Sequence, residues 1–139
     1  MAPTPLRRNR DFVLLQSGQL LSAMGSEATA IAYPLLALAL THSPARAGLA
    51  AFARLAPFAV LQLPAGLAAD RFDRRRMMVA ADLVRATTIG VLAASIAMGD
   101  ASFALLGVVA LIEGSASVAF TVAATGALRS VVPATQLPD

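Results

Sequence analysis

Two carboxylates and one guanidinium stand where charged side chains are expensive. Glu27 falls near the middle of an apolar tract running from Phe12 to about Leu40, and Glu113 near the middle of another, Ala101 to about Leu128. Arg54 lies eight residues into a tract from Ala47 to Ala69, about 11 Å of helix rise from its start. An ionisable group at such depth in lipid is by default a site of proton, ion or substrate handling. Helical spacing gives each acid small or polar neighbours. Gln16, Gln19, Ala23, Glu27 and Ala30 share one face, and Ala110, Glu113, Ser117 and Ala124 share another. Faces of this kind turn toward a cavity or a neighbouring helix. The chemistry open to Glu27 and Glu113 is therefore proton exchange or substrate binding, against a structural hydrogen bond. Glu27 and Arg54 reach compatible depths if the first tract climbs while the second descends, so a pair between them is conceivable. In a further tract, Met77 to Met98, Asp82 and Arg85 are three residues apart, and that spacing favours an intrahelical ion pair that neutralises both.

These residues need helices that cross a membrane to position them. The chain has 139 residues, 58% hydrophobic and 14% charged, with a mean hydropathy of +0.71. Soluble domains carry about a quarter charged residues, and this chain falls well short of that, so its composition argues against a water-soluble fold. Each tract has at least 22 residues, about 33 Å of helix, enough for a hydrocarbon core of roughly 30 Å. The expected class is an all-α membrane protein with four transmembrane helices at 12–40, 47–69, 77–98 and 101–128. A leader (1–11), a charged loop (70–76) and a polar tail (129–139) complete the chain. Pro34, Pro57 and Pro64 fall inside tracts and bend them without ending them. No tract alternates apolar and polar residues as a lipid-facing barrel strand would. A signal peptide ending at Ala28-Thr29-Ala30 fits poorly, because Gln16, Ser17, Gln19 and Ser22 interrupt the run and the apolar pattern continues past Ala30.

All eleven basic residues are arginines, and they are unevenly placed. Arg7, Arg8, Arg10, Arg71, Arg74, Arg75, Arg76 and Arg129 fall on one side of the expected membrane, and Arg46 alone lies in a loop on the other. Basic residues gather in cytoplasmic loops, so the inner membrane is the expected location, with both termini cytoplasmic. No aromatic residues interleave with the arginines to stack bases, so nucleic acid is not an expected partner despite a pI near 11. There is no cysteine, and hence no disulfide or thiolate chemistry. No nucleophile–base set, phosphate-cradling glycine loop or cluster of metal ligands occurs, so neither an enzyme nor a cofactor or metal is expected. His42 falls in the outer loop and is expected to be solvated.

The segment Gly66-Leu67-Ala68-Ala69-Asp70-Arg71-Phe72-Asp73-Arg74-Arg75 resembles the major facilitator superfamily motif G-x-x-x-D-R-x-G-R-R, found between helices 2 and 3. Its place after the second tract, on the arginine-rich side, agrees. Asp73 stands where the motif has glycine, and aspartate tolerates a left-handed backbone better than most residues. Gly18-Gln19-Leu20, Ala81-Asp82-Leu83-Val84-Arg85-Ala86 and the closing Val132-Pro133-Ala134-Thr135-Gln136-Leu137-Pro138 look most like the bacterial drug and siderophore exporter branch. The resemblance covers essentially the whole chain but about a third of a twelve-helix protein.

What the resemblance implies is the first part of an N-terminal six-helix bundle. It also implies proton-coupled efflux of a small amphipathic molecule by alternating access. The partners are then the lipid bilayer, that small-molecule substrate, protons and the remaining transporter helices. The motif residues Gly66, Asp70, Arg71, Asp73, Arg74 and Arg75 would latch the cytoplasmic side. Gly66 would let helix 2 pack closely on a neighbour. Asp70 would sit near the start of helix 3, where the helix dipole favours it, and the arginines would pair with carboxylates or anionic headgroups. The branch's Pro-Ala-Arg run late in helix 4 is replaced by Val122-Ala123-Ala124, so substrate details do not carry over. The family would begin helix 5 near Asp139, and a portion that does not transport alone is the expectation. Three other readings stand beside it: a small multidrug exporter dimer, a CDP-alcohol phosphotransferase, and a non-transporting scaffold. The arginine asymmetry opposes the first, and the missing Asp-Gly-x-x-Ala-Arg run opposes the second.

Overall fold

The computed structural model describes residues 10–131. The expected leader and tail therefore lie largely outside the described residues, with Arg7, Arg8 and the phrase from Val132 to Pro138. Four helices follow one another: α1 (Arg10–Thr41), α2 (Pro44–Arg71), α3 (Arg74–Met98) and α4 (Phe103–Val131). There is no strand among the described residues. Each helix contains a span long and apolar enough to cross a bilayer: Gln16–Thr41, Pro44–Arg71, Arg74–Met98 and Phe103–Gly126.

Local chemistry stops each helix and starts the next. His42 takes a left-handed backbone (φ 52°) and its N–H reaches the Leu38 carbonyl at 2.7 Å, closing α1. Ser43 then caps α2 with Pro44 at the first helical position, where proline's missing N–H costs nothing. Gly99 closes α3 at φ 80°, a conformation that glycine adopts without a Cβ penalty. The Ser102 hydroxyl accepts the Leu105 N–H at 3.2 Å at the start of α4. His42 itself is exposed.

The charged run between the second and third tracts is mostly helix, which corrects the expectation for Asp70. α2 continues through Arg71, so Asp70 sits in the last turn of α2, at the end where the dipole disfavours an anion. Asp73 is the residue at the start of α3, and its carboxylate accepts the Arg76 N–H at 2.9 Å. Its backbone is extended (φ −62°, ψ 115°) rather than left-handed. The turn here therefore does not need the motif's glycine, and aspartate serves as an N-cap instead.

α4 packs against each of the other three helices. Burial reaches 44% of its apolar span, against 11–17% in the others. Each neighbour presents a narrow stripe: Ala50, Arg54 and Pro57 on α2, and Ala81, Arg85, Leu92 and Ser95 on α3. At the end away from the α2–α3 loop, Tyr33, Ala37, Ala50, Leu92, Leu106, Val109 and Ala110 form an apolar cluster. There the Arg46 guanidinium lies 5.5 Å from the centre of the Phe103 ring, within cation–π range. Toward the loop, Ala81, Ala116, Phe120 and Ala124 form a second cluster. Large apolar side chains such as Leu21, Ile31, Leu63 and Leu83 face outward, which suits a surface bathed in lipid.

Candidate functional site

Between the two apolar clusters lies a knot of charge. Arg54, Arg85 and Glu113 come from three different helices, and each is at most 9% exposed. Arg54 and Glu113 are each about ten residues, or roughly 15 Å of helix rise, from the starts of α2 and α4. The Glu113 carboxylate is divided between the two arginines: Arg54 Nε donates to Oε2 at 2.9 Å and Arg85 Nε to Oε1 at 3.1 Å. The Ser117 hydroxyl, one turn further along α4, also donates to Oε1, at 3.1 Å. Charged hydrogen bonds of this length are among the stronger ones available to a protein.

The arginines also fasten α1. Arg54 Nη2 donates to the Ser26 carbonyl at 2.9 Å. Arg85 Nη1 donates to the Ser22 hydroxyl at 2.6 Å and Nη2 to the Ser26 hydroxyl at 2.7 Å. Asp82 pairs with Arg85 Nη1 at 3.3 Å but is half exposed. One carboxylate and two guanidiniums thus join all four helices at one level. This geometry revises the simple picture of Arg85 as the partner of Asp82 alone, since its buried counter-ion is Glu113. It also places Arg54 on Glu113 rather than on Glu27, because α2 packs mainly on α4 and turns its buried stripe that way.

Two of these partners carry no charge and were not singled out in the sequence. Ser22 and Ser26 sit one turn apart on α1, beside the face that bears Gln19 and Glu27, and that spacing is the signal that marks them. Gly114 was also missed. A Cβ there would collide with the Arg54 carbonyl oxygen and lie 3.0 Å from its carbon, so α2 rides directly on the α4 backbone at this point. Gly66, expected to be the close-packing glycine, has open space around it among the described residues.

A cavity of about 410 Å³ opens beside the knot. Gln19, Ser22, Ser26 and Glu27 of α1, Arg54, Leu55 and Phe58 of α2, Arg85 of α3, and Ser117, Phe120 and Thr121 of α4 line it. Glu27 is exposed to it and has no hydrogen bond or ion pair among the described residues.

At the α2–α3 loop, the motif residues behave differently. Arg74 Nη1 donates to the Gly126 carbonyl of α4 at 2.6 Å, and a Cβ on Gly126 would lie 2.9 Å from Arg74 Nε. Asp70 is 3.9 Å from Arg74 Nη2 and largely exposed. Arg75 and Arg76 line a separate groove with Val79 and Leu83.

A family model described as Major Facilitator Superfamily matches residues 16–138. The chain belongs to the major facilitator superfamily. No curated protein and no solved structure matches it in the parallel comparisons. Members of this superfamily are transporters rather than enzymes. The four apolar spans accordingly make the chain a multi-pass membrane protein with a transport-type function. Its all-helical architecture fits a part of the major facilitator fold.

Proposed function

We propose that this major facilitator chain serves proton-coupled export of small amphipathic molecules by alternating access, with the cavity beside Arg54 as part of the substrate path. The observation that carries this reading is the contrast between two carboxylates. Glu113 is consumed by two arginines and a serine, whereas Glu27 faces the cavity with no internal partner. A carboxylate free to take either a proton or a substrate cation is what exchange of one for the other requires. The other charged residues lining that cavity are Arg54 on α2 and Arg85 on α3, and both are already engaged, with Glu113 on α4 and, for Arg85, Asp82 as well. Glu113 is then the counter-ion that holds the wall, and Glu27 the group that exchanges.

The arginine-rich α2–α3 loop lies on the cytoplasmic side in this reading, in the inner membrane, because basic loops remain inside. Arg74 on the Gly126 carbonyl is the contact through which that loop holds the end of α4, as a latch on the cytoplasmic side. The cavity is open on one side, and further helices, in the same polypeptide or another, close it.

The test is transport driven by a pH gradient in membrane vesicles from cells carrying the intact gene. Glu27→Gln should remove the dependence on the gradient while leaving the protein in the membrane, and Glu27→Asp should retain part of it. Gradient-driven transport at the original rate in Glu27→Gln would refute the assignment. A reporter inserted in the α2–α3 loop should be active in the cytoplasm, and periplasmic activity would reverse the orientation.

A further inference from the structure

Once the internal pairs are counted, one cationic donor and one carboxylate in the cavity are left without a partner. Every nitrogen of the Arg85 side chain has an acceptor: Nε has Glu113, Nη1 has Ser22 and Asp82, and Nη2 has Ser26. Arg54 is different. Its Nε donates to Glu113 and its Nη2 to the Ser26 carbonyl, but Nη1 has no partner among the described residues. The only buried polar side-chain atom left without a partner among the described residues is the Tyr33 hydroxyl. Arg54 Nη1 is therefore not sealed in, and it opens on the cavity that Arg54 lines. A guanidinium nine-tenths buried thus presents one unpartnered nitrogen to open space. Glu27, on the same wall, is the unused acceptor.

The remaining wall is apolar or neutral, with Leu55, Phe58 and Phe120 beside Gln19 and Thr121. A ligand bearing only a cation would satisfy Glu27 and leave Arg54 Nη1 stripped of water without an acceptor. A ligand bearing only an anion would satisfy Arg54 and lie close to a like charge. A group left unpaired after desolvation loses more than the missing bond would have contributed. A molecule carrying both charges leaves neither group unpaired.

We propose that this cavity selects zwitterionic amphipaths, with the acid group on Arg54 Nη1, the amine on Glu27 and the apolar body against Leu55, Phe58 and Phe120. The proposal rests on reading the cavity as a substrate site, and it narrows the substrate to a charge class. Arg54 becomes a specificity-determining residue, not only part of the internal knot.

Three probes with one apolar body test it: tryptophan (a zwitterion), tryptophanamide (a cation) and N-acetyltryptophan (an anion). The chain contains no tryptophan, so indole emission reports the probe alone. Binding is measured by indole fluorescence polarisation on the purified protein in micelles of a non-aromatic detergent at neutral pH. Tryptophan should bind about tenfold more tightly than either relative, the effect of one charged hydrogen bond. Arg54→Gln should erase its advantage over the amide while leaving its advantage over the N-acetyl form. Because that variant disturbs the Glu113 knot, the comparison on the unaltered protein carries the test by itself. Equal or tighter binding of the amide would overturn the role of Arg54, with the cavity still a ligand site. Equal binding of the N-acetyl form would overturn the role of Glu27. Absence of saturable binding by all three would overturn the proposal, whereas the Glu27→Gln transport assay decides the wider reading separately.

Discussion

Arginine and acid meet at two places in this molecule, and the two meetings are unlike. In the middle of the bundle, Arg54 and Arg85 hold Glu113 at 2.9 and 3.1 Å, with all three side chains at least 90% buried. At the α2–α3 loop, Arg74 and Asp70 are 3.9 Å apart and their side chains are 37% and 76% exposed. The residue types are the same, but the solvent is not. Away from water, each charge in the knot depends on the others, because desolvation has already removed the alternative. At the loop, water and headgroups compete for every partner, and an exposed pair contributes from nothing to about 1 kcal/mol. The loop arginine gains more from the Gly126 carbonyl, which has a fixed place on a helix, than from a mobile carboxylate.

The contrast is broken most severely at Glu113. Glu113→Gln leaves the buried Arg54 without a counter-ion and Arg85 with only the half-exposed Asp82, and should destabilise the protein by about 3–5 kcal/mol, read as thermal unfolding in detergent. Replacing Arg54, Glu113 and Arg85 together by leucine should recover most of that loss, since the cost lies in unpaired charge. A triple variant as unstable as the single one would show that packing, not charge, governs the level.

Next comes Gly114→Ala, whose methyl must displace the α2 backbone. It should lose about 1–3 kcal/mol in the same assay. Gly126→Ala meets only the far end of the Arg74 side chain, which can swing away, and should lose less. An equal loss at both glycines would erase the distinction between the rigid contact and the yielding one.

Tyr33→Phe sharpens the comparison from the apolar side. The hydroxyl is buried without a partner, so its removal should be neutral or stabilise by up to about 1 kcal/mol; a clear loss would reveal a partner. Asp70→Asn at the loop should change stability least, by under about 1 kcal/mol.

How far these features were legible in the sequence follows from the distance over which each is decided. Four helices could be read from apolar length alone, because lipid leaves the backbone few alternatives. The buried face Ala110, Glu113, Ser117 and Ala124 could be read from spacing within one helix. The pairing of charges could not. Arg85 meets Asp82 three residues away, yet its buried partner Glu113 is 28 residues away and Ser22 is 63 away. Those contacts depend on how α3 and α1 are rotated against α4. Arg54 illustrates the same limit: depth made Glu27 a reasonable partner, and rotation assigned it to Glu113. The placement of Asp70 at the start of the third helix failed for a smaller reason, since α2 runs two residues further than its apolar tract suggests.

The helix that gathers the others is the last of the four to leave the ribosome. Until α4 emerges, α1 to α3 must wait in or beside the insertion machinery with Arg54 and Arg85 lacking their shared counter-ion. A single arginine at the centre of a span resists insertion by about 2.5–3.5 kcal/mol. Nascent chains stalled after α3 should therefore crosslink to the translocon for longer than chains extended through Glu113. In chains carrying leucine at both arginine positions, that difference should vanish. Assembly order, in this chain, is written into which helix carries the acid.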